Sequence, residues 1–413
     1  MDAVHNLRHY AVITGGYWAF TLTDGAIRML VVLYFHQLGY TPLAIASLFL
    51  FYEFFGIITN LVGGWLGARF GLNTTMHVGM LLQVLALLML TVPTEYLTIL
   101  YVMVAQALSG IAKDLNKMSA KASVKLFVPA TTDTENTTSK QLFKWIAILT
   151  GSKNTLKGAG FFLGGLLLAL YGFQNALYIL AGSLSLVLLL TWLLLPNDLG
   201  KTKAKAKFSQ LFANDPAINW LSAARFFLFG SRDVWFVVGL PVYMSSTLNW
   251  SFEQTGSFFA LWIIGYGMVQ ALAPKLIRGR KNQSAPDGLT AQYLAFSLML
   301  MPAAIALALY QGLAPDWVII IGLSCFAILF ALNSAVHSYL IVEWSDHDKV
   351  AMNVGFYYMA NAGGRLAGTV LSGLLFQYYG LSACLIASSL LIASAAILSY
   401  KLPRNDAIFG EKG

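Results

Sequence analysis

In a chain with only 11% charged residues, ionisable side chains recur inside long apolar runs, and their spacing is helical. Asp24 and Arg28, Lys113 and Lys117, and Lys153 and Lys157 are each four residues apart, and Arg225 and Arg232 seven apart, so each pair shares a helix face. Glu53, Asp114, Asp233 and Arg365 complete a set of eight cations and four carboxylates. A charge at the centre of a membrane helix costs about 2.5 to 3.5 kcal/mol on insertion scales, so each needs a partner or a wet cavity. Like charges on one face repel unless something negative lies between them. The chemistry this excess suits is binding of a multiply anionic solute, with Arg giving bidentate contacts to a planar oxyanion and Lys acting as a point charge.

A structural alternative stands beside it. Asp24 with Arg28 and Asp233 with Arg232 would close as internal pairs, while Lys113 and Lys117 would snorkel to the headgroups. Lys157 and Arg365 lie too deep to snorkel easily. Asp24, Glu53, Asp114 and Asp233 are candidate proton-coupling groups; Glu53, in the middle of "FLFYEFFGIITN", reads equally as a hydrogen-bonded structural acid.

The elements that must position these residues are transmembrane helices. The chain has 413 residues, 58% of them hydrophobic, and a mean hydropathy of +0.67. Twelve apolar runs are expected as spans, near 10–36, 43–67, 74–93, 96–121, 143–171, 175–196, 217–245, 253–274, 289–311, 316–342, 349–379 and 381–401. The start of the chain runs into the first span with no cleavage site, so no removable signal is expected. The connections after spans 1, 3, 5, 7, 9 and 11 hold no Lys or Arg, whereas the other set is basic, from Arg69 and Lys121 through Lys201 to Lys207, Arg278 to Lys281, and Lys401. That asymmetry puts the basic set and both termini in the cytoplasm and explains the net charge of +8 without nucleic acid. Lys121 and Lys125 read as positive-inside anchors. Spans 3, 6, 9 and 12 carry no interior charge and are expected to face lipid.

The stretch Pro196 to Pro216 splits the spans six and six, giving an N-terminal bundle 1–196, a cytoplasmic linker 197–216 and a C-terminal bundle 217–413. The halves repeat: "GGLLLALYGFQNAL" from Gly164 superposes on "SGLLFQYYGLSACL" from Ser372 at an offset of 208, which places Lys157 on Arg365 and brings Asp24 within one residue of Asp233. Duplicated six-helix units are a mark of secondary transporters. No phosphate loop, zinc spacing or nucleophile elbow appears, so no cofactor or metal is expected, and the chain reads as a transporter and not an enzyme. The two cysteines carry no metal or disulfide spacing. A membrane-embedded enzyme or lipid flippase would have to rest on His337 with Glu343, and His337 reads more readily as packing.

Twelve spans, a basic central loop and "GGWLGARFG" between spans 2 and 3 resemble the major facilitator superfamily. Gly64, Arg69 and Gly71 match its loop signature, whereas Ala68, Leu72 and Asn73 depart from it. Within that group, "TGGYWAFTLTDGAIRML", "QALSGIAKDLNKMSAK", "FKWIAILTGSKNTLKGAGFFLGGLLLAL", "LSAARFFLFGSRDVWFVVGLPV" and "YYMANAGGRLAGTVLSGLLF" resemble the ArsJ-type organoarsenical efflux permeases of the bacterial inner membrane. The resemblance implies an all-α fold of two six-helix bundles. It also implies arsenate resistance by export of 1-arseno-3-phosphoglycerate, in partnership with a cytoplasmic glyceraldehyde-3-phosphate dehydrogenase that makes the ester from arsenate. Outside, the ester would break down to arsenate and 3-phosphoglycerate. In this reading Arg28 and Arg232 grip one oxyanion, and Lys117, Lys153, Lys157 and Arg365 hold the other, with Lys113 and Arg225 as further substrate-binding candidates. The alternative is an organophosphate or phosphate antiporter with no arsenic role.

Overall fold

The computed structural model describes residues 3–40, 42–127, 135–196, 215–250, 252–277, 285–346 and 349–404. Among them every regular element is a helix, and each expected span lies on one. Spans 1 to 4 are α1 (Ala3–Gln37), α2 and α3 together (Pro42–Ser47, Leu50–Phe70), α4 (Leu72–Met89) and α5 (Ile99–Phe127). Spans 5 and 6 form α6 (Glu135–Leu194), and span 7 is α7 (Pro216–Phe236) with α8 (Gly239–Ser246). Spans 8 to 10 are α9 (Phe252–Ile277), α10 (Gly288–Tyr310) and α11 (Pro315–Glu343), and spans 11 and 12 form α12 (Val350–Leu398).

Helix starts follow local chemistry. The Asp215 carboxylate accepts from the Ala217 amide at 2.8 Å, and Pro216 supplies the fixed φ of a first helical position. Asp287 and Thr290 form a reciprocal capping box at the start of α10. Where α3 passes into α4, Gly71 sits at φ 97, a conformation that glycine alone adopts without strain. That is the physical use of one loop-signature glycine. Asn73, at a departing position, instead donates to the Pro196 carbonyl at 2.6 Å.

The two longest helices each contain one break. At about 1.5 Å per residue, the 60 residues of α6 would reach about 90 Å, three times the hydrocarbon thickness. The break falls at Gly172 (φ 74, ψ 175) in α6 and at Gly380 (φ 73, ψ −171) in α12. This backbone region is essentially closed to residues with a side chain. The two glycines are related by the sequence-repeat offset, so the connections expected as short loops shrink to single glycines. Among the described residues eight helices are long and apolar enough to cross a membrane; of the others, α3 has a shorter apolar stretch, Leu50–Gly63, and α5 carries its second-half charges.

The uncharged spans expose apolar stripes. α4 shows Val78, Leu81, Leu85 and Leu88, the second leg of α6 shows Leu186, Leu190 and Leu193, and the second leg of α12 shows Ile386, Leu390 and Ile397. Such spacing marks one helix face, and hydrocarbon is the solvent that suits it.

The chain forms two compact units. Unit 1 comprises Met1–Ala130, Ser152–Phe212 and Asp346–Met359; unit 2 comprises Thr131–Gly151, Ala213–Ser345 and Ala360–Gly413. α6 and α12 thus change unit at 151/152 and 359/360, which the repeat offset again relates. The expected linker falls, apart from its last two residues, outside the described residues, as do Lys201 to Lys207, Arg278, Arg280 and Lys281.

Candidate functional site: two charged helix pairs

In unit 1 the site begins with the crossing of α1 on the first leg of α6. A Cβ on Gly160 would lie 2.6 Å from the Leu22 carbonyl and 3.1 Å from the Gly25 Cα, and one on Gly164 would lie 2.4 Å from the Ala26 carbonyl. The backbones touch, which only glycine permits. At this crossing the Lys157 ammonium pairs with Asp24 at 3.2 Å, and the Tyr52 hydroxyl donates to the other Asp24 oxygen at 2.6 Å. Tyr52 is itself fixed by α5, because Gly110 packs against its backbone.

Around this pair lies a second tier. Arg28 meets Glu53 at 3.5 Å and covers the rings of Tyr52 and Phe49 at 4.6 and 5.1 Å. The alternative pairing of Asp24 with Arg28 is therefore corrected. The four-residue spacing put them on one face, but the glycine crossing brings Lys157 closer, and Arg28 finds Glu53 across the helices. On α5, Asp114 holds Lys117 at 2.5 Å and Lys113 at 3.7 Å. The Lys113 ammonium lies 3.9 Å from the Tyr52 ring centre, while Lys117 and Lys121 lie 4.1 and 5.1 Å from that of Tyr358.

Lys113, Lys117 and Lys121 do not snorkel. Lys113 and Lys117 are buried, and Lys121 is only 1% exposed, so reading Lys121 as a surface anchor is corrected too. The energetic reason is that aromatic faces and Asp114 offer these ammonium groups a partial substitute for water. The Lys125 side chain lies outside what is described. Lys153 differs from its neighbours: partly exposed, it has no carboxylate or hydrogen-bond partner among the described residues, and the charges that act on it are those of Lys157, Lys117, Lys121 and Lys113.

Unit 2 repeats the crossing with different side chains. A Cβ on Gly368 would lie 2.5 Å from the Gly230 carbonyl, and one on Gly364 would clash with Phe226. Gly160 against Leu22 and Gly368 against Gly230 are the same contact, displaced by the repeat offset at both ends, so the sequence repeat is a structural one. Here Asp233 takes Arg365 at 3.0 Å on one oxygen and Arg232 on the other. The Arg232 guanidinium also faces the Phe229 and Phe236 rings at 5.0 and 5.5 Å. The expected Asp233–Arg232 pair is present, and Arg365 joins it.

Arg225 is buried, 3% exposed. Its Nε donates to the Asn361 side-chain oxygen at 2.9 Å and its Nη1 to Ser334 Oγ at 3.1 Å, with the guanidinium 3.8 Å from the Phe229 ring centre. Asn361 and Ser334 were not among the sequence candidates. Asn361 could have been found, since the repeat offset carries Lys153 onto it. His337 is buried, and its Nδ1 has no partner among the described residues.

The accessible cations are thus Arg28, Lys153, Lys157, Arg232 and Arg365, whose side chains keep some exposure, whereas Lys113, Lys117, Lys121 and Arg225 are enclosed. In unit 1 six clustered cations face three carboxylates, and in unit 2 three face one. No group of three His, Cys, Asp or Glu among the described residues could hold a metal ion.

A family model described as the Major Facilitator Superfamily matches residues 13–310. The chain belongs to the major facilitator superfamily. It is a multi-pass membrane transporter and not an enzyme, with the all-α fold of that superfamily. Solved structures of this fold are similar over nearly the whole chain. The human organic anion transporter TETRAN is 14% identical with a TM-score of 0.75, covering 95% of this chain and 99% of that one. A bacterial homologue of the iron transporter ferroportin, in an outward-facing state, is 15% identical with a TM-score of 0.71, covering 95% and 99%. The proton:xylose symporter XylE is 13% identical with a TM-score of 0.73, covering 97% and 96%. No curated protein sequence matches the chain as a relative.

Proposed function

We propose that this superfamily member exports an organic anion carrying two oxyanion groups, and that the substrate is 1-arseno-3-phosphoglycerate. The observation that carries the reading is the cation excess mounted on a repeated, glycine-packed helix crossing: Lys157 with Asp24 in unit 1, Arg365 with Asp233 in unit 2. Lys and Arg at the accessible positions suit a solute with about three to four negative charges. An oxyanion entering unit 1 competes with Asp24 for Lys157, and one entering unit 2 competes with Asp233 for Arg365 and Arg232. Each carboxylate holds its cation while the site is empty and yields it when an anion arrives, so binding changes the contacts across the crossing that must move.

The bundles 1–196 and 217–413 would be the moving halves of an alternating-access cycle, placed in a bacterial inner membrane with both termini in the cytoplasm. The arsenic identity rests on the sequence resemblance, and the cytoplasmic glyceraldehyde-3-phosphate dehydrogenase is the source of substrate in this reading. Two agents could reset the cations on the return stroke: protons taken by Asp24, Glu53, Asp114 or Asp233, or a second anion. The organic anion named for TETRAN supports the substrate class without identifying it.

The test uses everted membrane vesicles with the dehydrogenase outside them, making the arseno-ester from glyceraldehyde 3-phosphate, arsenate and an oxidised nicotinamide cofactor. Wild-type vesicles should accumulate arsenic, and Lys157→Ala and Arg365→Ala vesicles with normal protein levels should not. Undiminished uptake in both variants removes this site assignment. An organophosphate antiporter without an arsenic role would instead move glycerol phosphate and leave arsenic uptake at background.

A further inference from the structure

The seam between α10 and the second leg of α12 ends in a corner that the transport reading does not use. All of it lies in unit 2. α10 exposes Tyr293, Leu300 and Leu307 along one face, and its last residue, Tyr310, is exposed as well. From Tyr293 to Tyr310 the helix rises about 26 Å at about 1.5 Å per residue, close to the thickness of the hydrocarbon layer, so the two tyrosines mark its two interfaces. The stripe of Ile386, Leu390 and Ile397 on α12 likewise runs on to an exposed tyrosine, Tyr400, in the turn Ser399–Lys401. The two helices touch at two levels. Ser389 Oγ donates to the Met299 carbonyl at 2.7 Å, and the Tyr400 ring meets the Phe296 ring edge-on at 6.1 Å.

Beyond Tyr400 the chain folds back over the start of α10. The Gly288 amide donates to the Pro403 carbonyl at 3.0 Å, and a Cβ on Gly288 would lie 2.5 Å from that of Leu402, so glycine is what lets the segment lie this close. That return fixes Arg404. Its Nη2 donates to the Gln292 side-chain oxygen at 3.2 Å, and its guanidinium lies 5.9 Å from the Tyr400 ring centre. Lys401, next to Tyr400 in the chain, is exposed. Neither cation has a carboxylate partner among the described residues. The acid that caps α10, Asp287, is held by the Thr290 amide and hydroxyl, each at 3.0 Å.

We infer that this corner binds an anionic phospholipid, with the phosphate on Arg404 and Lys401 and the acyl chains along the α10–α12 seam. The chemistry selects that occupant. Arg404 gives one N–H to Gln292 and keeps others in the fork geometry that matches phosphate oxygens. Two cations without a carboxylate favour a headgroup of net negative charge over a zwitterionic one, whose own ammonium they repel. The exposed stripes suit a ligand with hydrocarbon attached, which free phosphate lacks. Tyrosine hydroxyls at the rim suit the ester and glycerol oxygens found at that depth. In the orientation of the proposed function the corner faces the cytoplasmic leaflet, and the site does not depend on what is transported.

The experiment titrates the purified full chain, delipidated in a neutral maltoside detergent, with phosphatidylglycerol carrying a fluorophore on one acyl chain, read by energy transfer from the tryptophans. Unlabelled phosphatidylglycerol should displace the probe, whereas excess phosphatidylcholine or inorganic phosphate should not. Lys401→Gln should weaken binding about fivefold, and Lys401→Gln with Arg404→Gln about thirtyfold, the size expected of one and of two interfacial cations. Lys275→Gln, which removes an exposed cation from the last turn of α9, should bind as wild type does. Equal displacement by phosphatidylcholine, displacement by inorganic phosphate, or wild-type affinity in the double variant overturns the inference. So does equal weakening by Lys275→Gln, which would show only a general attraction of basic surface. A second readout separates binding from folding. Phosphatidylglycerol should raise the unfolding temperature of wild type above its value in phosphatidylcholine, and that difference should vanish in the double variant, whatever its temperature in phosphatidylcholine. A difference that persists in the double variant contradicts the site.

Discussion

Gly160→Ala tests whether backbone contact at the α1–α6 crossing holds the ion pair. The added Cβ would lie 2.6 Å from the Leu22 carbonyl, while ordinary contact begins near 3.4 Å. Both neighbouring atoms belong to backbone, so no side chain can turn away, and the helices must separate by about 0.8 Å. The Lys157–Asp24 distance of 3.2 Å would then stretch toward about 4 Å, the outer limit of an ion pair. Overpacking of this kind costs about 1 to 3 kcal/mol, to which a weakened buried pair adds. Gly182→Ala, in the second leg of the same helix, is the control. A Cβ there meets nothing within 4 Å, so the substitution should be neutral or stabilise by up to about 1 kcal/mol through helix propensity. Thermal unfolding of the purified proteins in detergent reads both, and vesicle uptake reads the pair. If the two variants shift unfolding in the same direction by similar amounts, or if Gly160→Ala transports normally, the crossing does not hold the site.

Three further outcomes are expected. Asp233→Asn leaves Arg232 and Arg365 without their carboxylate and should cost about 3 kcal/mol, the low end for a broken buried pair because both guanidinium groups keep some exposure; adding Arg365→Gln should recover part of it in the unfolding midpoint. Tyr358→Leu removes the ring that Lys117 and Lys121 share and should lower thermal stability by about 1 to 2 kcal/mol, with Lys121→Met restoring much of the loss; an unchanged midpoint in the single variant would show that these contacts carry no energy. His337→Ala should leave arsenate resistance of a sensitive host intact, since its Nδ1 engages nothing among the described residues; loss of resistance would reopen the enzyme or flippase reading.

The sequence made the helices and the repeat legible because both rest on signals that do not depend on tertiary contact. Apolar length marks a crossing, and Gly172 and Gly380 mark the same break in the two copies of the repeat. The charged residues were legible as a set but not as pairs. Four-residue spacing made Asp24 and Arg28 look like partners, whereas the partner of Asp24 is chosen by Gly25, Gly160 and Gly164 letting α6 approach α1. The fate of Lys121 was hidden for a related reason. A lysine past the end of an apolar run looks like a headgroup anchor, and only the fold shows that Tyr358, far away in sequence, covers it. Arg225 could be read as a binding cation until Asn361 and Ser334 were seen to occupy it.

The measurement that bears most directly on the proposed export is the composition of the medium around cells given arsenate, expressing this transporter with and without the glyceraldehyde-3-phosphate dehydrogenase. Arsenate and 3-phosphoglycerate should appear outside in equal amounts, and only when both proteins are present. Arsenic leaving the cells without the dehydrogenase, or no phosphoglycerate accompanying it, would contradict the account.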